Sequence, residues 1–241
     1  MIKTITGKVI YGNKNGGKFL FKTANIPYTG EKNEDGVYKV NVKIEDKKYA
    51  GVGSYLKEKG VFETHIFDFE KDIYDKEIKV YLLEKIRENK RFENFEELKK
   101  QIEKDIIYAK NKKIKVMTFG TFDIFHPGHK HFLKQASFYG DTLITVIARD
   151  KNVEKFKRKL PKNNENIRLE EVKKSEISDI VELGDYENPF LCIENHKPNT
   201  ICLGYDQEGF YDKLKKKDEF KDIEIIRLEA YKPEIYKSSK L

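Results

Sequence analysis

The hydrophobic rhythm of this 241-residue chain changes once, and that change limits what it can fold into. Up to about residue 90 the apolar residues recur with period two. In "VYKVNVKIEDKKYAGV", Val40, Val42 and Ile44 alternate with Asn41 and Lys43, and Glu45 to Lys48 form a polar turn, which predicts a hairpin. "VFETHIFDF" puts Phe62, Thr64 and Ile66 on one face and Glu63, His65 and Phe67 on the other, and "EIKVYLLEKI" is a further strand. The period then lengthens in "NFEELKKQIEKDII", where Phe95, Leu98, Ile102 and Ile106 fall at helical spacing behind Asn94, a good N-cap with two acidic residues in the turn that follows. Strands closed by one helix predict a small antiparallel β-barrel over residues 1–111.

After the polar connector "YAKNKK", strand-like and helix-like runs alternate. "KIKVMTF", "TLITVIA", "TICLG" and "IEIIRL" read as strands, and "HKHFLKQASFYG" between the first two reads as a helix. Alternation of this kind predicts an α/β domain with a parallel sheet and crossover helices over residues 112–241. The chain shows no internal repeat and no long low-complexity segment.

Charge narrows the partners. Lys and Arg number 48 against 41 Asp and Glu, a net +7, yet only six are Arg (87, 91, 149, 158, 168 and 227) and Lys alternates with Glu throughout. A nucleic-acid binder concentrates its basic residues, whereas this pattern describes a solvated surface, so no nucleic-acid partner is expected. The positive excess would still draw phosphorylated small molecules. The longest apolar stretches are about strand length, far short of the ~20 residues a membrane span needs, and "MIKTITGKVIYG" is not a signal peptide. Cys192 and Cys202 sit in apolar runs without disulfide or CxxC spacing, which points to buried elements and a cytoplasmic location.

Three of the five histidines fall in "TFGTFDIFHPGHKHF". In an open α/β sheet, ligands bind beyond the carboxyl ends of the strands, where the chain enters the next helix. Gly120 allows close approach of backbone to a ligand, and Pro127 suits a first helical turn. A helix starting there would aim free N–H groups and a partial positive charge at a phosphate, and His126 and His129 would add side-chain donors for charge developing at phosphorus. Two alternatives stand beside this: a helix-start hydrogen-bonding histidine, or a pair of zinc ligands, for which no cysteine or carboxylate completes a tight set. His131 is expected at the surface.

"GTFDIFHPGH" resembles the HxGH signature of the nucleotidyltransferase superfamily, and the likeness covers most of 113–241. "GDTLITVIARD" resembles the family's second strand, "LGYDQ" (203–207) its GxD-type segment and "YKSSKL" (236–241) its terminal phosphate motif. The resemblance implies that His126 and His129 bind the triphosphate and stabilise the transition state, that Gly120, Thr121 and Phe122 line the nucleotide, that Asp206 lies in its pocket, and that Ser238 and Ser239 hold phosphates. Relatives usually continue into a further helix where this sequence ends at Leu241, which implies a mobile last motif.

In the N-terminal half, "GNKNGGKFLFKTANI" (12–26) fits the GxxxxGK of a P-loop, but Phe19 takes the Ser/Thr position that must ligate Mg²⁺ and "FLFKTANI" looks extended where a helix is required. A P-loop is rejected; taken alone, the glycines serve equally well as turn formers. The segment resembles the riboflavin kinase pattern of a Gly-rich loop followed by Phe-Pro-Thr-Ala-Asn, with "GVYKVNV", "FETHIFDF" and "NFEELKKQIEKDI" matching further elements in order over nearly all of 1–108. The resemblance implies that Thr23 and Asn25 coordinate Mg²⁺ and ATP phosphates, that Glu63 is the base on the riboflavin 5′-hydroxyl, and that Gly12, Gly16 and Gly17 cover the phosphates. Gly17, Leu20 and Lys22 replace the family's Arg, Gly and Pro.

Together the resemblances imply an enzyme that phosphorylates riboflavin to FMN with Mg-ATP and adenylylates FMN to FAD, with flavins and ATP as its partners. The alternatives are a cytidylyltransferase for a polyol or amino-alcohol phosphate with a flavin-sensing barrel, and a basic nucleic-acid-binding module.

Overall fold

A computed structural model describes residues 3–12, 22–30, 34–232 and 234–236. The chain divides into two compact units, Met1–Lys113 and Ile114–Leu241. Gly16, Gly17, Ser238 and Ser239 lie outside the described residues.

The first unit is a six-stranded antiparallel sheet of β1 (Thr4–Lys8), β2 (Ala24–Pro27), β3 (Gly36–Ile44), β4 (Lys47–Leu56), β5 (Val61–Ile66) and β6 (Glu77–Arg87), followed by α1 (Phe95–Asn111). The order is β1-β6-β3-β4-β5-β2, and the Ile10 N–H donates to Asn25 O at 2.8 Å, so the chain beyond β1 bridges to β2 and the sheet nearly closes into a barrel. Closure removes most of the open edge that a sheet would otherwise present. Period-two alternation fills the barrel: Ile26, Val40, Val42, Tyr55, Phe62 and Val80 are fully buried in one cluster. The β3–β4 turn is tighter than the sequence predicts. Lys47 and Lys48 already belong to β4, leaving Glu45 and Asp46 to turn the chain, with Glu45 in the left-handed region (φ 55°).

Helix α1 starts where predicted, with Asn94 Oδ1 accepting the Glu97 N–H at 3.0 Å. Its contact with the sheet differs from the predicted apolar stripe. Phe95 is exposed, and the buried positions are Asp105 and Ala109. The Arg87 Nε donates to both Asp105 oxygens (3.0 and 3.1 Å), its Nη2 donates to Oδ2 (2.7 Å), and the Gln101 amide donates to Oδ1 (2.8 Å). At the other end the buried Lys39 ammonium donates to Ala109 O at 2.5 Å, close to the negative end of the helix dipole. Helical period alone cannot reveal a helix docked by ions.

The second unit contains β7 (Lys115–Gly120), α2 (Pro127–Ser137), β8 (Thr142–Ile147), α3 (Asp150–Lys157), α4 (Glu165–Lys173), β9 (Ile180–Leu183), α5 (Leu191–His196), β10 (Thr200–Leu203), α6 (Glu208–Lys215) and β11 (Glu224–Arg227). The five strands are all parallel, in the order β11-β10-β7-β8-β9. Strand β9, "IVEL", is too short to announce itself in the sequence. Alternate residues feed the two faces: Met117 packs with Ile144, Ile193 and Ile201, and Val116 with Leu133, Ala136 and Leu143. Cys192 and Cys202 are buried and unbridged, as expected. Because the chain runs from β7 to β8 and β9 and then crosses to β10 on the other flank, the sheet has its switch point between β7 and β10. That is where an open α/β sheet leaves a crevice for ligands. Among the described residues, no helix is long and apolar enough to cross a membrane.

Replacing Asp105 by Ala leaves the Arg87 guanidinium only the Glu88 carbonyl among these acceptors and should destabilise the first unit by about 3 kcal/mol. Urea unfolding should show a lowered midpoint for that unit, whereas Lys104→Ala, on the exposed side of the same helix, should leave it in place.

Candidate active sites

The loop between β7 and α2 is built from uncommon backbone. Phe122 (φ 53°) and Ile124 (φ 49°) both lie in the left-handed region, a costly choice for such residues, and Phe122 is also buried. Arg168 fixes this conformation from beneath. Its side chain is fully buried and donates to Thr121 O, to Ala148 O (2.7 Å), to Asn163 O (3.1 Å) and to the Asp150 carboxylate (2.7 Å). Asp123 accepts the N–H groups of Lys162 (2.7 Å) and Asn163 (3.0 Å), which ties the loop to the approach to α4. Gly120 ends β7 with its carbonyl accepting the Ala148 N–H at 2.9 Å. A Cβ there would meet the Phe122 ring at 2.5 Å, so the turn requires glycine.

His126 is the N-cap of α2, and its Nδ1 accepts the Gly128 N–H at 3.1 Å. Burial lowers its pKa. An Nδ1 that accepts leaves the proton of the neutral ring on Nε2, which is therefore a donor. His129 stacks on it with ring centroids 3.8 Å apart and planes 19° apart. Burial, then the neighbouring His126, then Lys157, push the His129 pKa down to about 3 against the opposing pull of Asp123. Both shifts favour the neutral rings, and two positively charged rings would repel each other at this separation.

One expectation is corrected here. The first turn of α2 does not present free N–H groups: Pro127 has none, that of Gly128 goes to His126 Nδ1, and those of His129 and Lys130 go to His126 O. The helix start can offer a ligand its dipole, and any hydrogen-bond donors there would have to be side chains. His131 differs as well. It is half-buried and stacks on Tyr231 at 4.6 Å. Tyr231 stacks on Tyr236 at 5.7 Å, and Tyr236 on His126 at 6.0 Å. Six near-parallel rings, from His131 through the histidine pair to Phe125, form one column that pins the segment preceding Ser238 against α2. Those tyrosines carry no sequence signal because they meet the histidines only through the tertiary fold.

Across the switch point, Asp206 is exposed, and its neighbour Gln207 makes the contacts. The Gln207 amide accepts the Gly204 N–H at 2.7 Å and donates to Phe119 O at 2.8 Å, bracing the β10 loop against the end of β7. Lys157, at the end of α3, is a second residue the sequence did not single out; its charge is close enough to act on His129.

In the first unit, Asn25 and Glu63 are direct partners across β2 and β5, so their side chains share the outer face of the barrel. Asn25 is buried and Glu63 half-buried, with the Lys59 ammonium 3.3 Å from the carboxylate. Thr23 is exposed two residues before Asn25. A Cβ on Gly12 would lie 2.5 Å from Asn25 Nδ2, so glycine lets the chain pass close over this amide. Threonine, asparagine and glutamate oxygens are hard donors of the kind Mg²⁺ prefers, and that ion commonly takes only one or two protein ligands alongside phosphate and water. The donor set therefore fits Mg²⁺.

An HxGH pair at a helix start, beside the switch point of a parallel sheet, defines a nucleotidyltransferase site. Residues 117–240 match the family model for cytidylyltransferase-like proteins, and residues 2–113 match that for riboflavin kinase. This chain belongs to the cytidylyltransferase-like family and carries a riboflavin kinase domain ahead of it. The FAD synthase of Thermococcus sibiricus is 41% identical over 137 residues, covering 55% of this chain and 93% of its own. That of Aciduliprofundum boonei is 38% identical over 122 residues, covering 49% and 80%. A solved lipopolysaccharide core biosynthesis protein from Thermoplasma volcanium GSS1 is 34% identical, with a TM-score of 0.46, over 50% of this chain and 99% of its own. The FAD synthase relatives do not favour a polyol-phosphate cytidylyltransferase.

Two consequences separate the cap from the donor. His126→Asn retains an N-cap acceptor and should keep wild-type stability, whereas His126→Ala should cost about 1 kcal/mol. Both should cut nucleotidyl transfer roughly 10²–10³-fold by removing the Nε2 donor; thermal melts and initial rates check the two halves. The depressed His129 pKa also has a sign. The folded state binds fewer protons than the unfolded state below the ordinary value of about 6.5, so stability is fully present above that pH and lost as pH falls toward about 3. Between pH 6.5 and 5 the wild-type melting temperature should fall more steeply than that of His129→Gln.

Proposed function

We propose that this chain makes FAD from riboflavin in two steps at two sites. In the first, ATP gives its γ-phosphoryl group to the riboflavin 5′-hydroxyl, forming FMN and ADP. In the second, the FMN phosphate attacks the α-phosphorus of a second ATP, forming FAD and releasing pyrophosphate. The observation that carries this reading is the pairing, in one chain, of a riboflavin kinase domain with a site of the FAD synthase type, because the product of one is the acceptor of the other.

At the barrel, Glu63 takes the hydroxyl proton as the oxygen attacks. Thr23 and Asn25 would hold Mg²⁺, which neutralises charge on the β- and γ-phosphates when bound. Gly12 keeps the chain close over the Asn25 amide. At the parallel sheet no base is required, since the FMN phosphate is already anionic. His126 Nε2–H and His129 instead donate to the oxygens of the α-phosphorus, where charge builds as the new P–O bond forms and the bond to pyrophosphate breaks. Gly120, Thr121 and Phe122 shape the loop beneath the nucleotide, Lys157 adds positive charge, and Asp206, Ser238 and Ser239 are assigned to the nucleotide and its phosphates. Neutral imidazoles, which burial favours at both positions, suit this role because each keeps an N–H donor.

Substitution at each site tests the separation. Glu63→Gln should slow conversion of riboflavin to FMN by about 10²–10⁴-fold while FMN to FAD stays near wild type. His126→Ala should show the reverse, and mixing the two variants should restore FAD from riboflavin through released FMN. Equal loss of both steps in a folded Glu63→Gln protein would contradict two independent sites. Removal of Mg²⁺ by chelation should stop the first step.

A further inference from the structure

The loop after β9 carries an aromatic side chain that the two-step mechanism has not used. Tyr186 is 47% exposed, but its ring is not loose. The Arg149 guanidinium lies 3.7 Å from the ring centroid and covers one face. The phenol O–H donates to Glu165 Oε1 at 2.9 Å. Glu165 is in turn held by Arg149 Nη2 at 3.0 Å and by the Asp150 N–H at 2.8 Å. The loop itself is built: the Gly184 N–H donates to Ile147 O and the Asn152 amide to Asp185 O, both at 2.9 Å, and Asp185 Oδ1 accepts the N–H groups of Glu187 and Asn188, both at 2.8 Å. The result is a ring fixed at one face and one edge and still half exposed, with the Lys151 ammonium a further cation 5.7 Å from its centroid. Its conformational entropy is lost before any ligand arrives, which favours binding.

Its place in the sheet says which ligand. Strands β7, β8 and β9 are adjacent and parallel, so the histidine pair, Arg149 and Tyr186 follow one another along the same carboxyl edge. Two strand spacings separate the β7 and β9 loops, about 10 Å. The nucleotide has the crevice at the switch point, on the β10 side of β7. An acceptor whose phosphate reaches the histidines must therefore extend its body toward β8 and β9. In FMN a five-carbon ribityl chain separates the phosphate from a large planar ring system, a reach of that order.

We propose that Tyr186, backed by Arg149, is the platform on which the isoalloxazine ring of the acceptor stacks during the second reaction. This rests on the adenylylation of FMN proposed above. The exposed part of the electron-rich phenol ring suits offset stacking with an electron-poor planar ring, and the Arg149 and Lys151 cations beside it would suit an acceptor that carries negative charge. The tricyclic ring gains most of its affinity there, while the phosphate is positioned at the histidines, and an acceptor phosphate without a ring lacks that contact.

The test is steady-state adenylyl transfer with FMN and ATP supplied to the full chain. Tyr186→Ala should raise the KM for FMN roughly tenfold or more, as loss of an aromatic stacking partner does, with the KM for ATP and the melting temperature unchanged. Tyr186→Leu, which keeps bulk over Arg149 without a ring, should do the same, and Tyr186→Phe should stay within about threefold of wild type, since the ring survives. Ribitol 5-phosphate, which has the chain and phosphate but no ring, should inhibit wild type and Tyr186→Leu equally. An unchanged KM for FMN in the Ala and Leu variants overturns the platform while FAD formation itself stands, and so does an equal rise in the KM for ATP. Wild-type protein that forms no FAD from FMN removes the underlying reading, and the platform with it.

Discussion

The nucleotidyltransferase site depends on one buried cation. Arg168 has no exposed side-chain surface, and its guanidinium joins four segments: the loop after β7 through Thr121 O, the end of β8 through Ala148 O, the start of α3 through Asp150, and the approach to α4 through Asn163 O. A buried guanidinium left without acceptors would cost several kcal/mol, so each acceptor is effectively held in place by the penalty for withdrawing it. That constraint makes the left-handed Phe122 and Ile124 tolerable, because strained backbone persists only where its surroundings over-determine it. The same Asp150 exchanges hydrogen bonds with Glu165, which anchors Arg149 and Tyr186. The loop after β7 and the proposed acceptor platform thus share one support.

The two sites answer the same electrostatic problem with different materials. At the parallel sheet, the proposed phosphate contacts are histidine N–H groups whose neutral form burial favours, with the Gly128 N–H holding one edge of His126 and a lysine nearby. At the barrel, the proposed materials are hard oxygen donors suited to a divalent cation and the Glu63 carboxylate paired with Asn25 across the strands. The difference follows from the nucleophiles. A hydroxyl must lose a proton to attack, and a phosphate need not.

Much of this was legible in the sequence, and the reasons for the misses are physical. Period-two alternation around Val40, Val42 and Phe62 located the barrel strands, because one face of each must be buried. The HxGH spacing located the histidines, because Pro127 and an N-cap fix where the helix begins. The free N–H groups expected at that helix proved to be occupied, since His126 offers two acceptors, its ring nitrogen and its carbonyl, to the first turn. Arg168 gave no warning: an arginine in a charged helix of weak amphipathicity looks solvated until four distant acceptors converge on it. The role of Gln207 beside Asp206, the tyrosine column on His126 and the docking of α1 through Asp105 depend likewise on contacts between residues far apart in the chain.

The central claim is that one chain transfers two different phosphorus atoms of ATP onto one flavin, at separate sites. Supplying riboflavin and Mg²⁺ with ATP labelled at either the γ- or the α-phosphorus, and isolating the FAD, measures this directly. The account predicts that FAD carries both labels, the γ-label in the half released as FMN on cleavage of the pyrophosphate linkage and the α-label in the half released as AMP. FAD lacking the γ-label, or no flavin bearing either label, would contradict it.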